Sequence, residues 1–232
     1  MKERSSDLIE KKMIQLILKG EYKANEPLLP ERELAVHFNV GRPTIREVLQ
    51  RLERDGWVTI RNGLPAIVND YWKHGNLMTI VNILNSYEEI PDEFIHYVLE
   101  LRIALTPAYV IDAVHHHPLK VISLFASLED LKDDATAYAN FDWELQQNLA
   151  GLASNPIYLL ILNSFKEVFL RMAEKYFSEP KHRQLARDYY EDLLKTLFQK
   201  EIEKTEITIK DMMKKSLEIW RIRTKASEPN EG

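Results

Sequence analysis

Residues 31–63, ERELAVHFNVGRPTIREVLQRLERDGWVTIRNG, hold two helical patterns, a tight corner and the start of a hairpin. The first eight place Leu34, Ala35 and Phe38 on one side of a short helix. Asn39-Val40-Gly41 leaves room only for a turn. A second helix begins at about Arg42, where Pro43 suits the first turn because a missing N–H costs nothing there. Ile45, Val48, Leu49 and Leu52 form its apolar stripe, and Gly56 ends it. Two short helices joined by three residues make a helix-turn-helix. After Gly56 the period falls to two: Trp57, Thr59 and Arg61 alternate with Val58 and Ile60. Asn62-Gly63 then precedes a second short apolar run, a hairpin signal in which both turn positions are read as positive in φ. A hairpin directly after a helix-turn-helix is a winged helix. Pro65 predicts that the second strand is an edge strand or begins late.

On the N-terminal side, 8–19 reads as an amphipathic helix with Leu8, Ile9, Met13, Leu16 and Ile17 apolar, closed by Gly20. Residues 21–30, EYKANEPLLP, read as a linker. On the C-terminal side, 76–225 carries helical signals alone. Its stretches are 77–87, 94–114, 119–134, 138–153, 156–177, 182–202 and 208–225, with breaks at Pro91, Pro118, Asn155-Pro156 and Pro180. Six or seven helices in antiparallel succession make an all-α bundle. The apolar run Tyr158–Ile161 is expected at the bundle centre. The expected organisation is therefore a winged-helix domain over 1–73 and an all-helical domain over 74–232.

The chain has 232 residues, a net charge of -5 and no cysteine. Without cysteine there is no disulfide framework and no thiolate metal site, which fits a reducing, cytoplasmic setting. The apolar runs fall short of the roughly 20 residues that span a bilayer, so no membrane partner is expected. The net charge averages two unlike parts. Residues 1–72 carry 12 Lys and Arg against 11 Asp and Glu; the remainder carries 19 against 25. Between 32 and 62 the basic residues are all arginine: Arg32, Arg42, Arg46, Arg51, Arg54 and Arg61. Arginine's planar fork suits phosphate and guanine.

A winged helix places the N-terminal end of its second helix in the major groove, which nominates Arg42, Thr44 and Arg46. The wing tip, Arg61-Asn62-Gly63, suits the adjacent minor groove, and Arg32 opens the preceding helix. Arg51 and Arg54 lie later, near Glu47, Glu53 and Asp55, and read as salt-bridge formers. In the helical part, Arg102 interrupts an apolar helix, while Tyr176, Ser216, Trp220 and Lys225 stand on later ones. Ordinary packing would pair Arg102 with a buried acid and bury the aromatics. The run His115-His116-His117 diverges around a helix end and reads as exposed; Asp112, His115 and His116 are spaced at most for a weak surface site, and no buried zinc site is expected. Nucleophile, acid–base and phosphate-loop signatures are missing, so no enzyme is expected.

PERELAVHFNVGRPTIREVLQRLERDGWVTIRNG resembles the DNA-binding domain of GntR-type bacterial repressors. REVLQRLERDGW and AIVNDYW are similar to one branch in particular, the FadR-type fatty acid metabolism regulators. ASNPIYLLILNSF, KYFSEP and SLEIW extend that likeness into the helical part. The resemblance implies a homodimer on a double-stranded palindromic operator, with Arg32, Gly41, Arg42, Thr44, Arg46, Asn62 and Gly63 at DNA-contacting positions. Asn62 stands where that branch has histidine, and Pro43 replaces a polar residue. The broader family often holds a metal through an acid and three histidines. Here Gln146 follows Asp142 where a histidine is expected, the next position falls at Tyr190-Glu191-Asp192 and the last near Lys214, so no metal is expected. The branch binds long-chain acyl-CoA in its bundle, which releases DNA. Its ligand-contacting positions fall on Arg102, Tyr176, Ser216, Trp220 and Lys225. Arg102 and Lys225 would neutralise phosphates, and Trp220 would pack on adenine or pantetheine. Met212 and Met213 replace a tyrosine and a glycine beside them. No cofactor is implied beyond the effector. A family repressor for another small carboxylate or acyl thioester shares every N-terminal feature.

Overall fold

The computed structural model describes residues 4–87 and 91–227, with side chains to 222. Two compact units divide the chain, Met1–Ile90 and Pro91–Gly232.

The first unit opens with α1 (Ser5–Leu18), three residues earlier than the apolar pattern predicts. Its buried face is Ile9, Met13, Ile14 and Ile17, whereas Leu8 is exposed. Helices α2 (Glu31–His37) and α3 (Arg42–Arg54) form the helix-turn-helix. Asn39 takes a left-handed φ of 53° in the corner, and Ile45, Val48, Leu49 and Leu52 are all buried. At Gly56, φ is 83° and a Cβ would lie 2.5 Å from the His74 carbonyl oxygen. Glycine is required there by both torsion and space.

Strands β1 (Val58–Arg61) and β2 (Leu64–Val68) pair antiparallel, Arg61 with Leu64 and Val58 with Val68. Two sequence expectations change here. At the wing tip Gly63 has positive φ, 76°, and Asn62 does not. The ladder also slips between Thr59 and Arg61, opposite Pro65, which has no N–H to give. The Ile60 N–H turns instead to Glu53 Oε1 at 2.7 Å. Nor is β2 an open edge. Residues 25–28 pair along its far side through Asn25 N–H to Val68 O and Leu28 N–H to Ala66 O, both 2.8 Å. The predicted linker therefore closes the sheet, and Pro65 lies just beyond its last bond.

After the single turn α4 (Tyr71–His74), helix α5 (Leu77–Ser86) packs on α1. The sequence groups these residues with the helical domain. In the fold, Thr79 donates to the Asp55 carbonyl at 2.5 Å and Asn82 to the Asp55 carboxylate at 2.9 Å. Asn76 donates to the Arg54 carbonyl at 3.0 Å. The N–H groups of Asp55, Trp57 and Gly56 take the carbonyls of Arg51, Leu52 and Glu53, and the start of α5 with its cap Asn76 satisfies the next two, Arg54 and Asp55.

Seven helices form the described part of the second unit: α6 (Asp92–His116), α7 (Pro118–Ser123), α8 (Ala135–Leu152), α9 (Ile157–Ser164), α10 (Lys166–Phe177), α11 (Pro180–Phe198) and α12 (Ile202–Ser227). Pro91, Pro118, Pro156 and Pro180 each stand at a helix start. The main packing pairs are α6 with α12, α8 with α10, and α11 with α12. Among the described residues α6 alone is long and apolar enough to cross a membrane; it carries Arg102 and packs on α8 and α12.

Three boundaries depart from periodicity, the first at Ser123, where the helix expected over 119–134 already ends. The expected helix 156–177 breaks at Phe165, where the Ser164 hydroxyl bonds back to the Leu160 carbonyl and Gln147 holds Asn163. Helix α12 starts at Ile202 because Lys200 reverses the chain with φ 58°. Helix α9 also has no buried residue, with Leu160 60 % exposed. It covers the bundle rather than filling its centre.

A candidate DNA interface and a candidate ligand cavity

In the first unit Arg32, Gly41, Arg42, Arg46, Asn62 and Gly63 are exposed, and Thr44 is half-buried at the start of α3. The buried stripe of α3 faces the core, which turns Arg42 and Arg46 outward. Arg51 is consumed by Asp7, Glu10 and Glu47 at 2.7, 3.1 and 2.5 Å, and Arg54 by Asp55 at 2.7 Å. Both have the structural part expected of them. Arg51's hydrogen bond also holds Asp7 below the usual carboxylate range. One contact was not foreseen: Arg46 Nε donates to Glu31 Oε2 at 2.7 Å across the helix-turn-helix corner.

The second unit holds a largely apolar cavity of about 120 Å³ that is partly open to solvent. Four of the five nominated effector residues line it: Arg102 from α6, Tyr176 from α10, and Ser216 and Trp220 from α12. The side chain of Lys225 lies outside the described residues. Tyr158, Ile161 and Leu162 of α9 close one wall, and Met212 and Met213 line another.

The polar part of the cavity wall is a network around Asp142. Arg102 Nη2 stands 3.5 Å from Asp142 Oδ2, with its guanidinium 5.0 Å over the Phe169 ring. Tyr190 donates to Asp142 Oδ1 at 3.0 Å, and Gln146 Nε2 donates to the same oxygen at 3.3 Å. Gln146 accepts from the Tyr109 hydroxyl at 2.5 Å. Burial opposes the charge on Arg102, but Asp142 and the surrounding tyrosines keep its pKa raised. Burial also pushes the Tyr109 phenol up to about 12 and Tyr190 well above its ordinary value, so both remain neutral donors.

Tyr176 is raised to about 12 by burial, and the nearby Ser216 hydroxyl opposes the rise. Ser216 commits its own proton to the Met212 carbonyl at 3.0 Å, and the buried Tyr176 hydroxyl makes no hydrogen bond. Lys175, which the sequence reading passed over, holds its ammonium 6.0 Å from the centre of the Trp220 ring. Only the fold brings that pair together, since 45 positions separate them.

The metal positions of the broader family do not fit a metal here. Asp142, Gln146 and Tyr190 converge, but an amide and a neutral phenol replace imidazoles, and an arginine already shares the carboxylate. Lys214 is exposed. Among the described residues no group of three His, Cys, Asp or Glu could hold an ion. Asp112 pairs with His116 at 3.4 Å while its carboxylate accepts from Ser154.

Two family models match. "Bacterial regulatory proteins, gntR family" covers residues 6–68, and "FadR C-terminal domain" covers 69–229. A "Fatty acid metabolism regulator protein" of Shewanella pealeana is 40 % identical over 188 residues, 79 % of this chain and 77 % of that one. Its namesake in Pasteurella multocida is 38 % identical over 216 residues, 92 % and 88 % of the two chains. Among solved structures, Lar, described as controlling expression of the Listeria monocytogenes agr system, superposes with TM-score 0.62 at 20 % identity. It covers 96 % of this chain and 99 % of its own, a likeness of fold.

The chain belongs to the GntR family of bacterial regulators, DNA-binding proteins rather than enzymes. Within that family it is closely related to the FadR-type fatty acid metabolism regulators.

Proposed function

We propose that this protein regulates genes of fatty acid metabolism and that long-chain acyl-CoA in the helical unit relieves its operator binding. The observation that carries the proposal is the apolar cavity whose wall brings together Arg102, Tyr176, Ser216 and Trp220. An acyl chain needs an apolar interior, and the thioester and pantetheine need a few fixed donors. Arg102 can give one N–H to a thioester carbonyl while remaining paired with Asp142. Tyr176 can give its uncommitted hydroxyl, and Trp220 offers a flat face to the pantetheine or adenine. Lys225 and Lys175 supply positive charge for phosphates.

A cytoplasmic homodimer would present two winged helices to a palindromic operator, with Arg32, Gly41, Arg42, Thr44, Arg46, Asn62 and Gly63 at the duplex. Ligand binding would shift bundle helices and with them the spacing of the two reading heads, which must match the groove repeat. The second reading, a different small carboxylate or acyl thioester as effector, draws on the same arginine. A free carboxylate would want that charge undivided, whereas Asp142 already shares it; this favours the uncharged thioester carbonyl.

Mass spectrometry of the ligand that co-purifies, followed by operator titration with and without palmitoyl-CoA, tests the proposal. Loss of DNA binding on saturation with palmitoyl-CoA is expected. Unchanged operator affinity, or a small polar acid as the bound species, would overturn it.

A further inference from the structure

The geometry points to Glu31 as the residue that positions Arg46 for base reading. The inference rests on the DNA-binding reading of the first unit. Glu31 opens α2 and receives the Arg46 Nε proton at 2.7 Å, joining the two helices of the motif across their corner. Both side chains are open to water, 64 % for Arg46 and 39 % for Glu31. An exposed pair adds little to stability. A carboxylate among the residues nominated to meet DNA also works against phosphate attraction. Its presence there calls for a different return, and the hydrogen bond supplies one.

Arginine has five N–H donors in one plane. Fixing Nε leaves the two Nη groups and sets the plane in which they lie. A guanidinium held in that way presents a pre-oriented fork to the O6 and N7 edge of guanine. A contact to phosphate alone gains little from such orientation, because a mobile cation serves nearly as well. The neighbouring arginines show the contrast: Arg51 is tied to three acids and has no comparable freedom to read a base. Glu31 thereby exchanges non-specific attraction for discrimination.

The test uses the full chain. A random-sequence duplex pool is enriched with the wild-type protein, and the winning duplex is titrated beside a scrambled duplex of equal composition at one salt concentration. Glu31→Ala, which removes the acceptor along with the charge, is expected to reduce the selected-to-scrambled affinity ratio about tenfold. Binding of the scrambled duplex should hold or tighten, since a repelling charge is gone. In an Arg46→Ala background the same substitution should leave the ratio unmoved, because nothing remains to be oriented. Glu31→Asp keeps the charge but shortens the reach, and should lose discrimination without the gain on scrambled DNA. A ratio for Glu31→Ala equal to wild type, or an equal loss with and without Arg46, would overturn the positioning role. If the wild-type protein enriches no duplex, the DNA-binding reading fails first and the inference falls with it.

Discussion

Arg102 is a cation in an apolar cavity, and its neighbours determine what its removal costs. Arg102→Ala would leave Asp142, 7 % exposed, with a phenol and an amide but no positive charge. A loss of about 3 kcal/mol is expected in urea unfolding, at the low end for a broken buried pair. Asp142→Asn should cost less, because the amide oxygen can still accept from Tyr190. Tyr176 gives the opposite case. Its hydroxyl is buried without a partner, so Tyr176→Phe should leave the free protein as stable or slightly more so. The same change should weaken palmitoyl-CoA binding about five- to tenfold by calorimetry if the ligand uses that hydroxyl. The polar and aromatic exceptions on apolar helices were visible as exceptions in the sequence, and Arg102 does find a buried acid. Which acid was not visible. The bond between Tyr109 and Gln146 spans 37 positions and depends on how α6 and α8 pack, which no local pattern contains.

Helix α3 and the wing were legible because each is specified locally, by a Pro in the first turn, an apolar stripe, a terminating glycine and an Asn-Gly turn. Gly56 and Gly63 separate the two reasons a glycine can be needed. Both have positive φ, but a Cβ at Gly63 meets nothing within 4 Å, whereas one at Gly56 collides with the backbone of His74 and Gly75. Gly63→Ala should cost about 1 kcal/mol in chemical unfolding and Gly56→Ala about 3 kcal/mol or more. Equal losses would show that backbone torsion alone governs both sites. The elements misread from sequence were those decided by distant partners. Residues 25–28 become a strand neighbour only when β2 is present to accept them. The break at Phe165 accompanies a Ser164 hydroxyl bonded back to the helical backbone and an Asn163 side chain held by Gln147 of α8, within a window whose apolar period runs on unbroken.

The whole chain should be most stable across a broad neutral range. Asp7, Asp70 and Asp133 are held below the ordinary aspartate value by Arg51, Lys73 and Arg183, and Asp112 by the Ser154 N–H. A carboxylate whose folded pKa is depressed lends stability above its unfolded pKa, 3.8, and loses it as pH falls from there. Tyr109 and Tyr176 run the other way: their contribution is complete below pH 10 and lost as pH rises toward about 12. Urea midpoints should therefore hold level between about pH 5 and 9 and fall on both sides. A midpoint that kept rising below pH 4 would contradict the assigned ion pairs.

The attachment of α5 to Asp55 has a practical consequence for anyone who transplants the reading head onto another regulator. A cut after residue 73, where the wing motif ends, would strip Thr79 from the backbone carbonyl and Asn82 from the carboxylate of Asp55, a residue 1 % exposed, and bare the α5-facing side of α1. Such a graft should be insoluble or molten, while one joined beyond Ser86 keeps the seam intact. In this molecule the natural splice point lies a full helix later than the motif it carries.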